Sequence, residues 1–203
     1  MRMRDALRTH LTLRNATFAI STAMFVWLVW YFYTGYGGPR ELATQLVPIA
    51  LLLQILLLHQ QDFLYKRLPA IANHAVVAAY AAICLYAFYY FFVYFEDIAI
   101  YRQGSYTTED FVVGLLMFLL VMEISRIAHP VLFGVNLVLI LYTLWGYLSP
   151  LDFFWHPGTT FYRVVTSSTV ELATGIYGLY AQLALTLVAA FLLLAAAANG
   201  FGA

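Results

Sequence analysis

The chain has 203 residues, 64% of them hydrophobic and only 10% charged, with a formal net charge of zero. A soluble domain of this size carries about a quarter charged residues, so the apolar surplus cannot all be hidden in one soluble core and the bilayer must solvate much of the surface. The zero total carries no signal for acidic or basic partners, and no nucleic-acid partner is expected.

Six apolar runs follow one another. The first, 16–34, is about one membrane thickness long, and Trp27, Trp30, Tyr31 and Tyr33 crowd its far end as an interfacial aromatic belt would. Gly35-Tyr36-Gly37-Gly38-Pro39 then breaks the helix. The second run, 43–58, ends at His59-Gln60-Gln61-Asp62, before a polar loop with Lys66, Arg67 and Pro69. The third covers 70–95, and the loop after it, Glu96 to Asp110, is the most polar stretch of the chain. Thr107 or Thr108 followed by Glu109 and Asp110 predicts a helix start, with acids at the positive end of the dipole. The fourth run, 110–128, contains Glu123 and Arg126, and Pro130 breaks it from the fifth, 131–148. A loop rich in Pro, Gly and aromatics, including Trp155, then leads toward the sixth, 173–198. The expectation is an all-α integral membrane protein with about six transmembrane helices, 1–203 forming a single membrane domain. No cleavable signal peptide is expected, because the first apolar run is long enough to stay in the membrane.

Basic residues set the predicted orientation. Arg2, Arg4, Arg8 and Arg14 precede the first run, and six spans place Lys66, Arg67 and Arg126 on that same side. Only Arg40, Arg102 and Arg163 fall opposite, so both termini are predicted cytoplasmic.

Candidate chemistry is sparse. Glu123 and Arg126 lie three apart on one predicted helix and so on one face. Ionisable groups in membrane segments are costly and often functional. The plainer reading is an intrahelical pair with Arg126 reaching to headgroups, and a contact with a partner subunit is the other. Five histidines invite a haem or metal reading; His74 with His59 or His129 could face across helices, but no spacing pattern such as HxxxH supports it. Cys84 is alone, so no disulfide or paired-Cys site can form within the chain. Gly175 and Gly178, with Ala181 and Ala184, give the sixth run a small-residue face that would let another helix approach. Trp27, Trp30, Tyr31 and Trp155 are read as interfacial anchors. No Walker loop and no Ser/His/Asp set occurs, so no catalytic residue, cofactor or metal is expected and the chain is read as non-enzymatic. Strongly polar mid-span residues are few (Gln54, Asn136, Gln182), and no repeated half of the kind transporters carry is visible.

From Tyr94 onward the sequence resembles a known family. Tyr94-Phe95-Glu96-Asp97-Ile98 and Arg102-Gln103-Gly104-Ser105-Tyr106-Thr107-Thr108-Glu109-Asp110 are similar to a stretch in the membrane permease of tripartite ATP-independent periplasmic (TRAP) transporters of the TAXI type. In that family an acidic end leads into Arg-x-Gly-x-x-Thr and an apolar helix. The similarity runs through 120–126 and 138–150 to Thr169-Val170-Glu171-Leu172-Ala173-Thr174-Gly175-Ile176-Tyr177-Gly178. It covers roughly the last half of the chain, with a fainter echo in the first two runs. Family members combine a periplasmic protein that captures substrate, a large membrane domain that moves it, and a small membrane domain that braces the large one. This chain resembles the small domain plus the first helix leading into the large one. Two departures stand out: the chain stops at Ala203, where fused relatives continue, and Tyr177-Gly178 replaces the Pro of a Gly-Ile-Pro-like motif. The family's substrate and sodium residues lie in the large domain and cannot be carried over. The resemblance implies a small, non-catalytic subunit in a bacterial inner membrane, partnered by a separate large permease and a periplasmic binding protein for uptake of organic-acid-like solutes. The alternative is a permease-derived structural subunit recruited into another multi-subunit membrane complex, respiratory or photosynthetic.

Overall fold

The computed structural model describes residues 3–61, 64–65 and 68–201, with side-chain detail from residue 13 to residue 200. Arg2, Lys66 and Arg67, on which part of the orientation argument rests, lie outside the described residues, as do the side chains of Arg4 and Arg8. The chain is 84% helical, and no strand occurs among the described residues. Among the described residues eight α-helices succeed one another: α1 Met3–Thr34, α2 Gly38–Gln61, α3 Ala70–Glu96, α4 Thr108–Ala128, α5 Pro130–Trp145, α6 Phe161–Thr169, α7 Leu179–Leu183 and α8 Ala189–Phe201. A π-helical turn over Asp97–Tyr101 extends α3, and a second one over Ala184–Val188 joins α7 to α8.

Among the described residues six stretches are long and apolar enough to cross a membrane: Leu13–Thr34, Gly38–Gln61, Ala70–Tyr101, Thr108–Ala128, Pro130–Leu148 and Gly175–Gly200. They fall on the six expected runs. The second is longer than the 43–58 read from sequence, because the helix begins directly at the glycine turn and carries Arg40 and Glu41 in its first turn. Helix α6 was not expected. At about 1.5 Å per residue its nine residues reach roughly 13 Å, well short of a hydrocarbon layer about 30 Å thick.

The chain divides into two compact units, Met1–Phe95 with Ile176–Ala203, and Glu96–Gly175. In the first, Leu28 and Tyr31 of α1 are buried with Leu42 and Leu46 of α2, and Leu185, Ala189 and Leu193 of the last span pack against them. Trp27 meets Phe88 and Phe92 of α3 edge-on, each at 6.1 Å between ring centroids. Such pairs add about 0.5–1.5 kcal/mol beyond their area. Polar groups tie the ends. Gln60 Nε2 donates to Leu13 O and Thr17 Oγ1. Fully buried Asn73 accepts from Tyr65 N–H at 3.0 Å and donates to Tyr65 O at 2.6 Å, holding the start of α3 against residue 65.

In the second unit α4 is the spine. Thr107 and Asp110 form a reciprocal capping box at its start, and α5 and α6 pack on it. Helix α6 is strongly amphipathic. Val164, Val165, Thr166 and Thr169 are buried, while Phe161, Tyr162 and Arg163 are exposed. Tyr162 stacks on Phe111 at 5.0 Å and Phe161 meets Phe118 edge-on at 6.1 Å, so α6 covers only the first half of α4.

Candidate functional site

The polar machinery of the second unit gathers at the start of α4. The π-turn closes with Arg102 N–H donating to Asp97 O at 2.8 Å. That turn aims the Arg102 guanidinium back at the helix start, where one terminal nitrogen lies 3.0 and 3.1 Å from the two carboxylate oxygens of Asp110. The other terminal nitrogen reaches Asp97 at 3.4 Å. Asp110 has no exposed side-chain surface and also accepts from Thr107 N–H at 2.8 Å. A buried carboxylate is tolerated only when paired and hydrogen-bonded in this way. Reading Glu109 and Asp110 as first-turn acids anticipated the cap. The ion pair was missed, since the eight-residue separation from Arg102 becomes a contact only through the π-turn.

One turn further along α4, Thr169 Oγ1 donates to Gly114 O at 2.7 Å, and a Cβ on Gly114 would collide with the Val170 side chain. The segment after α6 is wound tightly: Val170 and Glu171 N–H both donate to Thr166 O, at 2.9 and 2.8 Å, and Thr174 Oγ1 donates to Ser167 O at 2.7 Å. Gly175 ends this segment at φ +56, and a Cβ there would overlap the Ser168 backbone, so glycine is required by the turn itself. Arg163 lies 4.0 Å from Glu171 across the exposed side.

The other candidate residues are dispersed. Glu123 and Arg126 form a two-pronged pair along α4, at 2.5 and 2.8 Å, in the geometry of the intrahelical reading. The expected small-residue helix face is corrected: Gly175 belongs to a 3₁₀ turn over Gly175–Tyr177 and Gly178 is extended as the residue capping α7, while Ala181 lies within α7 and Ala184 opens the π-helical turn after it. The run was read as one continuous helix because nothing in its apolar composition marks the break. Of the four anchor aromatics, Trp30 and Trp155 are exposed. Trp27 and Tyr31 are spent on packing between helices, Tyr31 being buried in the α1–α2 cluster, so it is not an exposed anchor. His59 and His74 are brought together, but as a direct hydrogen bond, Nε2 to Nδ1 at 3.0 Å. Among the described residues no group of three or more His, Cys, Asp or Glu converges to hold a metal ion.

In the sequence Tyr177 stands out only as part of the Tyr177-Gly178 departure from the resembled motif. It is fully buried against Phe91, 5.1 Å between centroids, and its hydroxyl has no hydrogen-bond partner among the described residues. An unmet buried hydroxyl costs about 1–3 kcal/mol. Tyr177→Phe keeps the ring and removes the cost, so it is expected to leave thermal stability in detergent unchanged or raised by a few degrees; a clear loss would show that the hydroxyl is bonded.

These features define a multi-pass α-helical membrane protein, with lipid as the solvent of its exposed apolar surface. Comparisons with protein-family models, with curated proteins and with solved structures gave no match.

Proposed function

We propose that the chain is a small, non-catalytic subunit of a TAXI-type TRAP transporter in a bacterial inner membrane, with both termini cytoplasmic. It would brace a large permease that takes organic-acid-like solutes from a periplasmic binding protein. The observation that carries this reading is a convergence. Two stretches of the resemblance, 102–110 and 169–175, meet on the first two turns of α4, through Asp110 at one level and Gly114 at the next. Their polar groups are largely satisfied within the chain, as suits a brace against which another domain moves. Helix α5, by contrast, has no buried residue of its own and leaves an apolar face for lipid or a neighbouring subunit.

Gentle detergent extraction of native membranes, pull-down of this chain and mass spectrometry of its companions tests the proposal. A large polytopic permease with a periplasmic binding protein is the expected result. Isolation as a solitary monomer would count against it, and redox or pigment-binding subunits would favour the recruited structural subunit instead.

A further inference from the structure

The loop after α5 folds back against the span it leaves. Tyr142 hydroxyl donates to Phe154 O at 2.8 Å, His156 Nε2 lies 2.9 Å from Tyr142 O, and Thr159 N–H donates to Thr143 O at 3.0 Å. His156 also accepts from Gly158 N–H at 2.9 Å through Nδ1, which leaves Nε2 as the nitrogen that donates to Tyr142 O. Gly146 has no side chain where the imidazole sits; a Cβ there would overlap the ring. The fifth span ends at Leu148, so the partners of the loop lie five and six residues inside it, about 8 Å at 1.5 Å per residue. The interfacial layer on each side of a bilayer is roughly 5–8 Å deep. The loop is therefore folded along the last turns of the span instead of projecting away from its end, and it exposes two large rings, Phe153 (90% exposed) and Trp155, of the kind that favour the membrane interface.

Between this folded-back loop and the last turns of the span lies an open cleft of about 480 Å³, lined by Leu141, Tyr142, Trp145, Leu148, Ser149 and Phe154. Neither hydroxyl in the lining is offered outward: Tyr142 donates to Phe154 O, and Ser149 donates to Leu151 O at 3.2 Å. No charged side chain lines it. Apart from the indole N–H of Trp145, the lining offers a polar solute little to bind. The cleft adjoins the exposed apolar face of α5 at Val138 and Leu141, so a chain lying along that face could enter it. We propose that it is a binding slot for one acyl chain of a bilayer phospholipid, whose headgroup lies level with the loop from Ser149 to Trp155. The site would pin the loop to the membrane surface by a chain as well as by its rings.

The test is photolabelling. The full chain is reconstituted in phosphatidylcholine vesicles containing a trace of phosphatidylcholine with a diazirine on one acyl chain, and labelled peptides are mapped. Label is expected several-fold higher on 141–154 than on the equally lipid-facing stretch 132–139. Leu141→Trp, which fills the cleft, is expected to reduce the first several-fold and leave the second unchanged; Leu148→Trp serves the same purpose if the first variant does not fold. Even labelling along both stretches, or an excess on 141–154 that neither filling variant reduces, would overturn the slot.

Discussion

Arg102→Ala is expected to cost about 3–5 kcal/mol, because it leaves the Asp110 carboxylate buried without its cation. For a chain of this size that corresponds to a fall of order 10 °C in the melting temperature. The single cysteine supplies the assay: Cys84 is fully buried, so a thiol-reactive fluorogenic dye reports its exposure as the protein unfolds in detergent. Two controls separate the mechanism from general damage. Asp97→Ala removes the other, half-exposed partner of Arg102 and should cost less than about 1 kcal/mol. Adding Asp110→Asn to Arg102→Ala removes the stranded charge while keeping a side chain that caps α4, and should recover part of the loss. A double variant no more stable than Arg102→Ala alone would mean that the ion pair does not govern this end of α4.

Gly114→Ala is expected to be destabilising, against the ordinary preference. Within an exposed helix the change favours alanine by about 1 kcal/mol. Here the new methyl would overlap a Val170 methyl and lie 2.9 Å from Thr169 Oγ1. Val170 is fully buried, so it cannot swing aside. Overpacking of this kind costs about 1–3 kcal/mol before any backbone shift, and that shift would also stretch the bond from Thr169 to Gly114 O. The clash outweighs the propensity. Gly114→Val should be worse again, and Val170→Ala combined with Gly114→Ala should restore much of the stability by removing the colliding methyl. If Gly114→Ala alone raises the melting temperature, the close approach of α4 to the segment after α6 is not present.

The spans were legible because length and hydropathy alone fix them: about twenty apolar residues cross a bilayer whatever their neighbours do. The α4 cap was legible too, since a threonine three residues before an acid is a local signal. What escaped the reading depends on contacts distant in sequence or on departures from a regular helix. Arg102 was read for its charge and its place in the resemblance, and its partner became visible only once a π-turn bent the chain back. Helix α6 is too short to register as a span, and its Val-Val-Thr-Ser-Ser-Thr stretch carries no strong helix formers. The glycines at 175 and 178 fit a helix face by spacing, and the positive φ at Gly175 that rules it out is not encoded in spacing. Tyr31 fitted the aromatic belt by position, yet burial against α2 decides its role.

In the proposed function this chain works against a neighbouring membrane subunit. Site-specific photocrosslinking in native membranes addresses it most directly, with a photoreactive amino acid placed in turn at Val135, Val138 and Leu139 on the exposed face of α5 and at buried Met117 of α4 as the control. The expected result is a discrete adduct with one large polytopic protein from at least one α5 position and none from Met117. Lipid adducts alone from every α5 position, together with co-purification of no other membrane protein, would contradict it.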